Sequence, residues 1–95
     1  MRRTDLRLPD ADLQEDQAIA DKILTLLASR APSTSIFPSD VARALSSDQR
    51  IWRAQMPAIR RVAGQLAVEG RAKVTRGAME VDALSKGGPI RIRRP

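Results

Sequence analysis

The chain has no cysteine and no histidine. Those absences exclude disulfide scaffolds, Cys/His zinc sites, thiol nucleophiles and every histidine-based triad. Aromatic residues make up 2%, one Trp and one Phe with no Tyr. Aromatic platforms for stacking bases are therefore nearly lacking. No apolar run approaches the roughly 18 residues of a membrane span. The start, Met1-Arg2-Arg3-Thr4-Asp5, is basic but no apolar stretch follows it, so it does not read as a secretory signal. Lack of cysteine fits a reducing cytoplasm. No phosphate-cradling glycine motif is present, and the carboxylates are scattered rather than grouped. Ser33, Thr34, Ser35 and Ser39 have no neighbouring base and suit capping and turns. The expectation is a non-enzymatic chain with no catalytic residue, metal, cofactor, small-molecule substrate or membrane partner.

What is present is ordinary globular composition with an excess of positive charge. The 95 residues allow a single domain. Lys and Arg number 17 against 11 Asp and Glu, a net charge of +6. Residues 1–30 hold five basic and six acidic residues, a net of −1, and residues 31–95 hold twelve and five, a net of +7. The basic character belongs to the later two thirds, and an anionic partner, nucleic acid above all, is expected there.

Residues 1–11 mix charges with Pro9 and show no period, so a disordered tail is expected, followed by one domain over 12–95. Asp12 and Glu15 resemble a capping box, and Ile19, Ile23, Leu26 and Leu27 recur at helical spacing. Arg30 then falls in the last turn before Pro32, which predicts a helix over 12–30. Ala20, Leu24 and Ala28 form a second apolar flank, which is either well buried or the seam of a homodimer through this first helix. Ser33–Phe37 is long enough only for a strand fragment. Pro38 suits the first position of a short helix over 38–45, with Val41, Ala44 and Leu45 buried.

Asp48 can cap a turn through Ile51 and Trp52, and Pro57 marks a fresh start or a kink. From Pro57 to Glu69, Ile59, Val62, Ala63 and Leu66 share an arc of about 100°, as a half-buried helix requires. Arg60, Arg61, Gly64, Gln65 and Val68 lie opposite, and Gly70 suits a C-terminal cap. The period then changes to two. Ala72, Val74, Met79 and Val81 are expected inside, with Lys73, Thr75, Glu80 and Asp82 outside. Arg76-Gly77-Ala78 reads as a hairpin loop with Gly77 at positive φ. Ile90-Arg91-Ile92-Arg93 makes a third strand. Trp52 and Phe37 are expected in the core.

The predicted fold is thus α+β: three helices, a C-terminal β-hairpin and a third short strand, in the winged helix-turn-helix order. The stretch Pro38-Ser39-Asp40-Val41-Ala42-Arg43-Ala44-Leu45 is followed by Trp52-Arg53, Met56-Pro57 and Arg60-Arg61-Val62-Ala63. Glu69-Gly70, Val81-Asp82 and Gly88-Pro89-Ile90-Arg91 come next. Together these motifs resemble a small bacterial family numbered 3253 among the domains of unknown function, over about residues 20–94. The resemblance implies a winged-helix fold and carries no activity and no functional residues. Phe37 stands where related winged helices often have a capping Ser or Thr, and Ala72 where a bulkier strand residue is usual.

The functional expectation is a DNA-binding module, with a transcriptional regulator as the matching role. Arg60, Arg61 and Gln65 on the third helix have the donors to read guanine and adenine edges. Lys73 and Arg76 on the wing, with Arg71 beside them, can reach phosphate or a narrow minor groove. Arg91 and Arg93, with Arg94, can add backbone contacts. Double-stranded DNA is the expected partner through Arg60, Arg61, Gln65, Lys73, Arg76, Arg91 and Arg93. The competing readings are a solvated helix face, edge-strand charges and a solubilising tail. The alternative function is a protein–protein interaction module on the same fold, using Gly64, Val68 and the apolar flank of the first helix. Glu69, Glu80 and Asp82 would weaken a phosphate-facing field.

Overall fold

A computed structural model describes the backbone of residues 3–95 and the side chains from Glu15 onward. The tail expected over 1–11 and the cap expected at Asp12 fall on residues whose side chains lie outside that description. The first helix, α1 (Arg3–Ala28), buries Ile19, Ile23 and Leu27. Leu26 is only partly buried. Ala20 and Leu24, the second apolar flank, pack against the core of their own chain, and Ala28 of that flank is exposed. The helix ends two residues before Arg30, so no basic side chain lies in its last turn. A helix terminus leaves carbonyls without partners. Here Arg94 supplies the donors: its guanidinium reaches the carbonyls of Leu27, Ala28 and Arg30 at 3.0–3.2 Å.

Ile36 forms the expected strand fragment as a single bridge to Ile92, with both backbone hydrogen bonds made at 2.8 and 2.7 Å. The next helix, α2 (Pro38–Leu45), begins with proline in its first turn. Its N-cap is Phe37, whose side chain has no acceptor. The Asp40 carboxylate compensates by accepting from the Phe37 N–H at 2.8 Å, so half of a capping box does the work. α2 buries Pro38, Val41 and Ala42, while Ala44 is exposed and Leu45 partly buried. The buried face is therefore the i, i+3, i+4, i+7 row from Pro38, and the expected place of Ala44 belongs to Ala42.

The third helix, α3 (Gln49–Val68), is continuous through Pro57 rather than restarting there. Asp48 caps it by accepting from the Arg50 N–H at 2.9 Å. Its buried residues are Ile59, Val62, Ala63 and Leu66, as the apolar period predicts. Trp52 is half-buried against the core. Phe37, expected inside, is 38% exposed. Backbone alternation explains it: Ile36 points into the core at 1% exposure, so Phe37 turns outward.

Strands β1 (Lys73–Arg76), β2 (Met79–Glu80) and β3 (Arg91–Arg93) form one antiparallel sheet in the order β2-β1-β3. The loop between β1 and β2 has two residues, and positive φ is confined to its first, Gly77 at 63°. That is the pattern of a II′ hairpin turn. Val74 opposite Ile92 faces the helices, and both are buried. Met79 pairs with Arg76 and shares Val74's parity, yet it is 71% exposed. The parity expected for Met79 holds, but at the hairpin tip the residue stays exposed. Thr75 has outward parity, yet it is buried at 4% exposure and its Oγ1 makes no hydrogen bond. Three helices and a small antiparallel sheet make an α+β fold compatible with a winged-helix arrangement. Among the described residues no helix is long and apolar enough to cross a membrane.

Candidate nucleic-acid interface

The outward face of α3 carries the residues expected to read bases. Arg60 is half-buried, and Arg61 and Gln65 are exposed. Arg61 is engaged. Its two terminal nitrogens donate to both oxygens of Asp16 on α1, at 2.7 and 2.9 Å. This is the fork-to-fork geometry that the same side chain would use on guanine or phosphate. The hydrogen bond from Arg61, helped by its charge, holds the Asp16 carboxyl below the ordinary carboxylate range against a smaller opposing effect of desolvation. Arg61 thus ties α3 to α1, and its charge is offset where it stands.

Arg76 is also engaged, but with neutral groups. Its Nε donates to the Gly88 carbonyl at 3.0 Å, and its two terminal nitrogens reach the Ser85 hydroxyl and carbonyl at 3.3 and 3.1 Å. Gly87 has φ 139°, and a Cβ there would lie 2.8 Å from the Arg76 Cζ. Arg76 therefore organises the long segment between β2 and β3 instead of projecting from the hairpin tip.

Register divides the remaining expected residues from α3. Lys73 lies opposite Arg93 and Thr75 opposite Arg91. These share the face of the sheet that the buried Val74 and Ile92 do not, so it points away from the helices. Lys73 is 3.6 Å from Glu80, the Arg91 guanidinium stands 5.0 Å over the Phe37 ring, and Arg93 donates to the Ser33 carbonyl at 3.2 Å. Arg71, also named for the wing, is 3.6 Å from Glu69. The expected set is thus not one patch: Arg60, Arg61 and Gln65 lie on α3, Lys73, Arg91 and Arg93 lie on the outer sheet face, and Arg76 braces the loop.

The start of α3 adds Arg50 and Arg53, which the sequence reading passed over. At 3.6 residues per turn, Arg50, Arg53 and Arg60 fall within an arc of about 80° on the outward face. The ion pairs among the described residues involve Arg43, Arg61, Arg71 and Lys73, leaving these three without an acidic partner. Arg53 and Arg43 of α2 each place a guanidinium 5.8 Å from the Trp52 ring centroid. The signal was available in the helical wheel, had it been carried upstream of Pro57.

The second half of that face is partly covered. Ala83 is buried, and its Cβ lies 3.4 Å from where a Gly64 Cβ would stand. Gly64 therefore packs against a segment of its own chain. Beside it runs an open groove of about 750 Å³ between α3 and residues 81–84, lined by Val68, Val81 and Leu84 among others. Val68 is 89% exposed and Leu84 62%.

No curated protein matches the chain. The model of the family described as "Protein of unknown function (DUF3253)" matches residues 16–95. That span runs from the Asp16 that holds Arg61 to the end of the chain, so the chain belongs to this family.

Proposed function

We propose that this is a non-enzymatic winged-helix module of the cytoplasm that binds double-stranded DNA through the outward arginine row of α3, in the manner of a transcriptional regulator. The observation that carries the reading is the row Arg50, Arg53 and Arg60, without acidic partners among the described residues, which begins directly after the α2–α3 turn. In helix-turn-helix docking the N-terminal residues of the second helix meet base edges. The contact with Ala83 falls at Gly64, one turn beyond the end of the row. Arg61 and Arg76 take supporting roles, since their donors are already used within the fold.

The test is a duplex titration at several salt concentrations. Three phosphate contacts by arginine predict a log–log slope of about −2.7. Arg50→Ala/Arg53→Ala/Arg60→Ala should flatten it. Absence of duplex binding at low salt, or a slope unchanged by the triple substitution, would refute the reading.

A second reading has its own observation. The groove with the exposed Val68 and Leu84 offers apolar surface suited to a protein partner. It predicts an assembly whose mass, by light scattering, rises with concentration and is lowered by Val68→Ser without any dependence on nucleic acid.

A further inference from the structure

We propose that the outer face of the sheet is a second phosphate-contact surface, with which the domain holds the backbone of another duplex while α3 engages the first. The sheet surface stands on its own observations; only simultaneous engagement rests on the α3 reading. Lys73 and Arg93 are directly opposite on adjacent antiparallel strands, and Arg91 shares their face. Like charges opposite one another destabilise a sheet. β1 is the central strand, so a cation there is not needed to guard a free edge.

Among the described residues the counter-charge paired on this face is weak. Glu80 is 3.6 Å from Lys73 with the two side chains 67% and 49% exposed, a geometry that water screens. The two arginines are held by neutral partners, the Phe37 ring and the Ser33 carbonyl, so their charge remains while their positions are ordered. An ordered cation loses less freedom when it meets a phosphate oxygen. The occupant is a duplex backbone rather than a single strand. The Phe37 ring, the aromatic surface available here, already carries the Arg91 guanidinium over one face, which makes it a poor platform for a base.

The experiment uses the full chain with two duplexes of the same sequence, one carrying a donor dye and one an acceptor. Wild type should bring the dyes together. Lys73→Gln/Arg91→Gln/Arg93→Gln should bind one duplex without energy transfer, its salt slope shallower by up to about 2.7. Lys73→Arg/Arg91→Lys/Arg93→Lys should restore both. If the neutral triple variant does not fold, Lys73→Gln alone should lower the slope by about 0.9. Transfer that survives the sheet substitutions belongs to a protein dimer and overturns the proposal. So does loss of all duplex binding in the α3 triple variant, which leaves the α3 reading intact. Binding unchanged by the α3 substitutions but lost with the sheet substitutions overturns the α3 reading and supports the sheet surface.

Discussion

Arg61 and Asp16 face each other across α3 and α1 through two hydrogen bonds of 2.7 and 2.9 Å, although 45 residues separate them in the chain. The contact decides two things together. It ties the solvent edge of the α1–α3 contact, and it offsets one of the positive charges on the face assigned to DNA. Both side chains retain water contact, at 45% and 22% exposure, so its worth is that of a surface pair, under about 1 kcal/mol.

Asp16→Asn should therefore lower stability slightly at neutral pH, and the deficit should depend on pH. The Asp16 pKa is depressed in the folded chain. Its contribution is thus present above the unfolded value of about 4 and fades as pH falls through the folded value. Urea denaturation of wild type and variant from pH 7 to 2.5 checks this. The two curves should converge at the acid end, and a constant gap would contradict the assignment.

The Arg76 brace predicts a coupled response in the wing. Gly87→Ala places a side chain at φ 139° and pushes against the Arg76 guanidinium. That end of Arg76 can swing away, but only by giving up its bonds to Ser85 and Gly88. Backbone strain of this kind costs about 1–3 kcal/mol. Arg76→Ala should speed amide exchange in the same loop, and the double variant should cost less than the sum of the two. Additive costs would mean that the two residues act independently.

Arg94 predicts an effect at a distance of chain. Arg94→Ala removes the donors that satisfy the carbonyls of Leu27, Ala28 and Arg30. The expected loss is about 1–2 kcal/mol, since charge at a helix C-terminus and its hydrogen bonds go together. Arg94→Lys should recover part of it, having the charge without the fork. Thermal denaturation orders the three proteins, and an Arg94→Ala variant as stable as wild type would show that water replaces the cap at no cost.

These contacts also show where sequence reading stops. The buried face of α3 was legible because four apolar residues keep one period over a long helix. The Gly77 turn was legible because one residue type dominates positive φ. The rotation of α2 was not, since its eight residues leave little period to choose between Ala42 and Ala44. Phe37 was misplaced because hydrophobicity outweighed alternation next to Ile36. The partners of Arg61, Arg76 and Arg94 lie 45, 9 to 12, and 64 to 67 residues away. Charge counting locates such residues but cannot tell a solvent-facing arginine from one already bonded. Arg50 and Arg53 stay hidden for a different reason: a proline reads as a fresh start or a kink, which separates them from the helical period after Pro57.

Pro57 supplies the last prediction. It lies inside α3, it is exposed, and it lacks the N–H that would reach the Arg53 carbonyl four residues earlier. A proline inside a helix costs up to about 3 kcal/mol against alanine. Pro57→Ala removes no core contact of note and restores a donor, so it should stabilise the fold, by about 1–3 kcal/mol. Denaturant midpoints give the stability. Pro57 also lies between Arg53 and Arg60, and a restored hydrogen bond to the Arg53 carbonyl alters the backbone that joins them. If both arginines meet one duplex, its affinity should change along with the gain in stability. Greater stability with unaltered duplex affinity would place the contacts on one side of Pro57 only.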